Sequence, residues 1–545
     1  MSAPDNCDLI IIGGGPAGAA AGIQARLLGL RACILEADRF PRHHVGESLI
    51  YLWPVFERLG IAEEMDGTFL HKYGSTRVWG RDMTPRSSDF EYRAQAGQRP
   101  YSLQVERSLF DSMLLNRAAR LGVDVRQGCR VRNVLWDGER AVGVQYSEPD
   151  GSVLEAHAPF IVDATGRAGL IARQRRLRAT DPFYPDLSVY GYFTDVQELP
   201  DAPSGGLSVE AVPWGWFWFI PLHTGEVSIG IVCDPSTRAQ LRAAGVTAFF
   251  REALAQTRMV GGLLAKARLV RGPFATASSG YRSSTYSGPG WVLAGDAAMF
   301  IDPMWATGVA NALSDGRLAA TVVHGVLSGH VAEPDALSFF DREVSERAEH
   351  LHAVVKFVYA ANHLYDEFPF WERRHRLAGP PPSPTLIRRV ARDPSAAYFF
   401  EVFGGMGVDE GILTVMEAEL RKSRTALPDP ASWIPRPADG VTITRAVGID
   451  AGRAMLVRGL ELNSPTERYF TGSPAVAAAF EAVDGHRTVQ EIVSQTLLGA
   501  PADEKFALYL DLTAAFVYAG THELLAVTRD SPARGLHPQV PEGFR

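Results

Sequence analysis

Residues 8–37, DLIIIGGGPAGAAAGIQARLLGLRACILEA, open on a short apolar run and pass through three glycines. Alanines and leucines follow, then a second apolar run that closes on Glu36. This pattern predicts a β-strand, a tight turn, an α-helix and a second strand. Two more apolar runs, FIVDATGRAG at 160–169 and WVLAGDAAMF at 291–300, read as strands ending in turns. GWFWFIP at 215–221 has four consecutive aromatics, with tryptophan and phenylalanine alternating. A period of two places Trp216 and Trp218 on one strand face and Phe217 and Phe219 on the other, the pattern of a strand buried on both sides.

The rhythm changes at two proline clusters. LAGPPPSPT at 377–385 interrupts any helix, and PDPASWIPRP at 428–437 reads as a second connector. They divide the chain into a core at 1–375, a proline-rich linker with helical patches at 376–440, and a C-terminal module at 441–545. Within the last, RAMLVRGLEL at 453–462 alternates as a strand, Thr488 and Glu491 have capping-box spacing, and 504–520 reads as a helix ending at Gly520. HELLAV at 522–527 closes a small α/β module of winged-helix type.

A chain of 545 residues holds about three domains' worth of material. With 46% hydrophobic and 21% charged residues it has an ordinary globular composition. A net charge of −8 argues against a general nucleic-acid or anionic-membrane binder, and 441–545 carries no basic stripe for DNA. Cys7, Cys33, Cys129 and Cys233 form no CxxC pair and no Cys/His cluster, so neither a metal site nor a disulfide framework is indicated. The N-terminus lacks the basic region of a signal peptide, and no uncharged apolar run reaches the ~18–20 residues of a membrane span. A cytoplasmic protein is expected.

Gly13, Gly15 and Gly18 form G-x-G-x-x-G in register with the strand before them and the helix after them. Such a turn lets backbone approach a pyrophosphate at a helix N-terminus, with Ala17 in the same turn. Glu36, about 20 residues on, is placed for the ribose hydroxyls and disfavours a 2′-phosphate. FAD and NAD both remain open at this point. Asp296 in GDAA, and Arg107 in VERSLFDSMLLNRAARLGV at 105–123, stand where FAD enzymes place cofactor residues. With DATG at 163–166, the set resembles the p-hydroxybenzoate hydroxylase superfamily over about 1–320. That implies an α/β fold: a Rossmann-like FAD/NAD(P)-binding domain of the GR2/p-hydroxybenzoate hydroxylase type with a β-sheet subdomain on the substrate side. It also implies FAD. DATG replaces the DG signature of nicotinamide-dependent hydroxylases and no second dinucleotide unit is visible, so a separate flavin reductase is expected.

Four further segments resemble the flavin-dependent halogenases: FPRHHVGES at 40–48, HKYGSTRVWG at 71–80, the W-x-W-x-I-P of Trp216 to Pro221, and DPMWATGV at 302–309. Each has an ordinary reading alone: a paired surface loop, a solvated lysine, a core strand, a helix-entry turn. Their joint order inside a FAD fold carries the resemblance. It implies halogenation, with chloride or bromide, of a specialised-metabolite precursor such as one on an antibiotic pathway. In that family reduced flavin and O₂ oxidise a halide to hypohalous acid. The resemblance gives halogen transfer to Lys72 and cofactor contacts to Arg42, Glu47, Ser48, Gly308 and Val309. It gives the halide to the backbone N–H groups of Thr307 and Gly308, and a wall between flavin and substrate to Trp216, Trp218, Pro221 and Trp305.

The loop departs from the family pattern. Trp305 replaces a phenylalanine, Ala306 a serine, and ANA at 310–312 replaces HLA. The catalytic glutamate of the tryptophan halogenases has no motif match, which disfavours free tryptophan as substrate. YDEFPFWERRHR at 365–376 resembles the segment closing the substrate side in halogenases of carrier-bound or polyketide-type substrates. The C-terminal module resembles the arrangement in the chloramphenicol-pathway halogenase, as a lid, a carrier-protein dock or a purely stabilising domain. The rival readings are a flavin monooxygenase or oxidase/dehydrogenase on the same scaffold without halide use, a geranylgeranyl-reductase-like enzyme, and a FAD-stabilised recognition scaffold.

Overall fold

A computed structural model describes residues 7–379 and 430–529, except 96, 185, 278, 451–454, 466, 499 and 502–503. The chain divides into two units, Met1–Glu417 and Ala418–Arg545. The helical patches expected in 385–427 lie outside the described residues.

In the first unit the apolar runs become the centre of a six-stranded sheet. Leu9–Ile12 lies between Phe160–Asp163 and Ala32–Glu36. Asp124–Gln127 extends the parallel order on one side, and Trp291–Leu293 with its antiparallel partner Ser287–Gly288 on the other. All four residues of Leu9–Ile12 are buried, as strands covered on both faces require. The helix Pro16–Leu27 follows the glycine turn and packs closely on the helix Gly308–Leu327. The approach is so tight that a Cβ on Gly316 would lie 2.1 Å from the Ala17 carbonyl oxygen.

A seven-stranded, mostly antiparallel sheet forms the second layer, in the order Arg268–Ala277, Leu187–Thr194, Val227–Cys233, Gly215–Pro221, Leu207–Val212, Gly74–Val78, Arg86–Asp89. Gly215–Pro221 sits at its middle, and its two faces differ as the period predicts. Phe217 and Phe219 join Ile229, Ile231, Phe249 and Phe250 in a core under the helix Val246–Leu254. The opposite face carries Trp216 and Trp218, their ring centroids 6.2 Å apart. Gly230, in register with Trp218, makes room for that ring: a Cβ there would fall 2.3 Å from the indole. The helices Glu333–Ala360 and Pro369–Ala378 complete the unit. The second of these ends just before the 380–382 prolines.

The second unit begins earlier than the sequence pattern suggests. Trp433–Pro437, inside the stretch read as a proline-rich connector, is a strand paired with Leu525–Arg529. Its prolines are tolerated because a two-stranded sheet consists only of edges, where a missing N–H breaks no ladder on the outer side. Thr442–Asp450, Met455–Asn463 and Arg468–Thr471 form a separate antiparallel sheet. The helices Pro474–Glu481, Val489–Leu497 and Lys505–Thr521 share a core around Trp433, Phe480 and Phe516. The capping box is present: Thr488 Oγ1 accepts from Glu491 N while Glu491 Oε2 accepts from Thr488 N.

Candidate active site

The glycine turn has the shape of a phosphate cradle. Gly13 adopts φ +102°, and a Cβ there would lie 2.5 Å from the Ala164 carbonyl oxygen, so both backbone angle and space call for glycine. At Gly15 a Cβ would meet only the Arg42 guanidinium, at 3.3 Å. Gly15 is also the N-cap of Pro16–Leu27, which has no side-chain cap. Its first-turn N–H groups are thus presented to open space beneath an arginine.

Two arginines, Arg42 and Arg107, border that space. Arg107 grips the buried Asp111 with two bonds, Nε to Oδ1 at 2.8 Å and Nη2 to Oδ2 at 3.0 Å. Arg42 Nη1 reaches the same carboxylate at 3.4 Å. Arg42, whose Nε also lies 3.9 Å from Asp38, is placed over the turn where its guanidinium can meet a pyrophosphate. Glu36 accepts from Gly14 N at 2.5 Å and Asp38 N at 2.7 Å, which fixes its carboxylate at the strand end. Ala17 packs against Gly295 and Gly316 behind the turn. Burial pushes the Asp296 carboxyl up to about 6, against the pull of Arg167 and Arg107. These features fit FAD, and among the described residues they are the ones that would hold it.

The loop 40–48 joins the two layers. Arg107 Nη1 donates to the Val45 carbonyl at 3.1 Å. Glu47, 1% exposed, accepts from Tyr192 Oη of the large sheet at 2.5 Å. Burial raises its carboxyl despite that bond. Neither Arg42 nor Glu47 is spent on a mutual surface pair. Ser48 faces the other way, with its Oγ accepting from Lys72 Nζ at 3.0 Å.

Lys72 ends the strand Leu70–Lys72, which pairs with Ser102–Gln104. It is 0% exposed. Besides Ser48, its Nζ donates to the Leu49 carbonyl. Burial pulls its ammonium down to about 7, since a charge removed from water is disfavoured. The lysine is therefore divided between amine and ammonium near neutrality, and is not the solvated surface lysine of the ordinary reading.

A third group is built on the 302–309 loop. Asp302 caps the short turn Pro303–Trp305, accepting from Met304 N at 2.8 Å. Ala306 is left-handed at φ +53°, which swings the chain into the helix Gly308–Leu327. Thr307, the N-cap, is buried and makes no side-chain cap bond. A Cβ on Gly308 would meet nothing within 4 Å. This is a second open helix N-terminus, with Val309 and Trp305 buried beside it. Trp216 Nε1 donates to Tyr359 Oη at 2.8 Å, and Tyr359 Oη donates to Asp302 at 3.1 Å. The tryptophan strand is thereby tied to this loop. Burial, with Asp186 adding repulsion, pushes the Asp302 carboxyl up to about 7 against the nearby Arg374. Arg374 is itself buried, bound to Asp186 at 2.5 Å and stacked 4.3 Å over the Tyr359 ring. Trp218 Nε1 donates to Ser228 Oγ at 3.2 Å, and Pro221 ends the strand opposite Val227.

Tyr359 and Asp186 were missed by motif reading, since no local pattern marks them, and Arg374 lay in the quoted 365–376 segment without being singled out. Asp302 lay in a quoted motif, and its D-P step is a turn signal that could have singled it out.

Residues 78–405 match the family model described as tryptophan halogenase. The tryptophan 2-halogenase of Chondromyces crocatus is 31% identical over 348 residues, which is 63% of this chain and 66% of that protein. The solved myxobacterial chondrochloren halogenase CndH is 28% identical, with TM-score 0.64 over 77% of this chain and 97% of its own. The solved CmlS, a flavin-dependent halogenase, has TM-score 0.72 at 22% identity over 96% of each chain. The CmlS likeness is one of fold.

Proposed function

The chain belongs to the tryptophan-halogenase family of flavin-dependent enzymes, and from that premise we propose that it halogenates a specialised-metabolite precursor with chloride or bromide. The observation that carries this reading is Lys72, fully buried beside Ser48 and Leu49 with an ammonium drawn down to about 7. Bound FAD, reduced and supplied with O₂, provides the oxidation of halide to hypohalous acid.

The protein's part is to hold and direct. The N–H groups of Thr307 and Gly308 hold the halide at the start of a 20-residue helix, where the backbone dipole favours an anion. The raised affinity of Asp302 for its proton keeps this neighbouring acid partly neutral, which limits repulsion of the halide. Trp216 and Trp218 form the wall that keeps the organic substrate from the oxidant's source. Lys72 receives hypohalous acid. Its ammonium form donates a hydrogen bond to the oxygen of hypohalous acid, so that an electron-rich carbon takes the halogen and water leaves. Its amine form attacks the halogen, releasing water and giving a haloamine whose halogen passes to the carbon as the amine is restored. In both cases the halogenated carbon then loses its proton to solvent.

A separate flavin reductase supplies the reduced cofactor. The substrate is a small molecule, of the polyketide type that the 365–376 segment suggests, free or tethered to a carrier protein. The domain plan is the core 1–375, the connector from 376, and the C-terminal unit as lid or carrier dock. The site is proposed to work in the cytoplasm. Among the described residues no helix is long and apolar enough to cross a membrane.

One observation favours a second reading, a flavin monooxygenase or oxidase/dehydrogenase. Trp305 and Ala306 replace the phenylalanine and serine of the family pattern beside the proposed halide site. One experiment separates the two. The protein is incubated with FAD, a flavin reductase, NADH, O₂ and bromide, with a phenol as trap. The halogenase reading expects brominated phenol from wild type and none from Lys72→Met. Hydroxylated phenol formed equally with and without bromide would sink it.

A further inference from the structure

The turn joining the helices Glu333–Ala360 and Pro369–Ala378 brings together His363, Asp366 and His375. Asp366 and His375 fall within the 365–376 segment noted above and His363 just before it, and none of the three has a role in the flavin or halide chemistry. Each offers one ligand atom, and the three atoms lie within 4.8 Å of one another. His363 Nδ1 is 3.0 Å from Asp366 Oδ2, and His375 Nδ1 is 3.6 Å from Asp366 Oδ1. Zinc-type bonds of about 2.0–2.1 Å in a tetrahedron put neighbouring ligand atoms about 3.3 Å apart, so the two nitrogen–carboxylate spacings bracket that value and a small side-chain adjustment would bring all three atoms around one ion.

A second observation points the same way. His375 Nε2 lies 2.8 Å from the Asn362 carbonyl oxygen. That bond requires the proton on Nε2, so in the neutral ring the lone pair sits on Nδ1 and faces Asp366. A histidine whose far nitrogen is anchored on a backbone carbonyl, with its bare nitrogen aimed at a carboxylate, has the orientation that supports a metal ligand. The two imidazoles also stack, with centroids 5.1 Å apart, which holds both rings on the same side of the turn.

We propose that His363, Asp366 and His375 bind a divalent transition-metal cation of the zinc type, with water completing the coordination. Two imidazoles and one carboxylate select zinc, cobalt or nickel over calcium and magnesium. The site is reachable, His363 and Asp366 being exposed. The cation fixes a turn that matters to the active site. His363 lies four residues after Tyr359, and its backbone N–H donates to the Gly80 carbonyl at 2.8 Å. On the far side of the turn, Trp371 Nε1 donates to the Val212 carbonyl at 2.9 Å and Arg374 stacks on Tyr359. The sequence reading indicated no metal site, because the two histidines are twelve residues apart and meet only through the turn.

Full-length protein, free of affinity tags, is titrated with Co²⁺ as a spectroscopic probe and then with Zn²⁺. Expected are one equivalent of Co²⁺ with visible bands of a four- or five-coordinate ion, their loss on adding Zn²⁺, and a rise in melting temperature with Zn²⁺. Asp366→Asn and His375→Gln should each weaken binding at least about tenfold, and His363→Ala with His375→Gln should abolish both bands and stabilisation. His363 is exposed and glutamine can retain the bond to Asn362, so a native circular dichroism spectrum is expected for that double variant. Equal Co²⁺ binding by the natively folded double variant, or no binding by wild type, would overturn the proposal and leave an ordinary histidine–carboxylate pair.

Discussion

Replacing Lys72 by methionine keeps an unbranched side chain of similar length and removes a buried ionisable group. Burial lowers the lysine from 10.5 to about 7, while the unfolded chain keeps the ordinary value. Between about pH 7 and about pH 10.5 the unfolded state therefore binds more protons than the folded state, so the stability of wild type rises with pH across that window. Below about 7 both states carry the charge and the lysine exerts its full cost. At about 1.4 kcal/mol per tenfold change in proton affinity, the window amounts to about 5 kcal/mol. The assay is urea unfolding of apoprotein, wild type and Lys72→Met, at pH 7, 8.5 and 10 in matched buffers. Subtracting the variant cancels groups that titrate alike in both. The methionine protein should be the more stable at pH 7, and its advantage should shrink by about 4 kcal/mol by pH 10. A difference constant to within about 1 kcal/mol would refute the reasoning, since it would mean that the folded protein solvates the ammonium as water does.

Gly15→Val tests the phosphate cradle. Gly15 has φ −67°, open to any residue, and only a flexible arginine tip lies near a new Cβ, so the apoprotein should melt like wild type while FAD affinity falls more than about tenfold by equilibrium dialysis. Asp302→Asn tests the buried acid. Its folded value is raised from 3.8 to about 7, so wild type should lose about 4 kcal/mol relative to the asparagine protein as pH rises from about 4 to about 7, and a flat difference in unfolding free energy would count against it. Trp216→Phe keeps an aromatic ring but removes the donor to Tyr359; unfolding should show a loss of about 1–2 kcal/mol, and the phenol trap a lower ratio of brominated to hydroxylated product.

The parts that the sequence made legible are those in which chemistry and local pattern coincide. The glycine turn needs its residues at fixed spacing for steric reasons, and Gly13 shows why: neither its φ nor its contact with Ala164 admits a side chain. The alternation in 215–221 was readable because a strand has only two faces, and both faces are occupied as the period requires. Lys72 was legible as a motif position only. Its burial depends on loop 48–50 and the strand Ser102–Gln104 folding over it, and neither carries any mark of that role. Tyr359, Arg374 and Asp186 were illegible for the same reason. They come from 188 residues apart, Asp186 to Arg374, and are joined only by packing. Ser48 was assigned to the cofactor with its neighbours, and the bond its hydroxyl accepts from the lysine was not legible in the sequence. Adjacent residues in an extended loop point to opposite sides, so Glu47 reaches the large sheet and Ser48 the lysine strand. The early start of the second unit was hidden by prolines, which mark a connector in sequence and an edge strand in space.

The departures at Trp305 and Ala306 bear on the halide only through groups that a side-chain change can alter. The proposed donors are backbone N–H groups of Thr307 and Gly308, and what aims them is the path of the chain. That path is set by Asp302, which caps the turn Pro303–Trp305, and by the left-handed backbone at Ala306, which turns into the helix. Both are present here. A serine at 306 would add a hydroxyl, worth about 1 kcal/mol as a single hydrogen bond, while the first-turn N–H groups and helix dipole remain whatever occupies that position. Trp305 is buried in the turn that precedes these donors in sequence. On this geometry the unusual loop is expected to weaken halide binding by no more than about tenfold relative to a serine variant. Bromide dependence of Ala306→Ser beside wild type measures it. An unchanged or modestly lower bromide requirement agrees with backbone capture, whereas a gain of several orders of magnitude would mean that the hydroxyl, not the helix terminus, is the principal ligand.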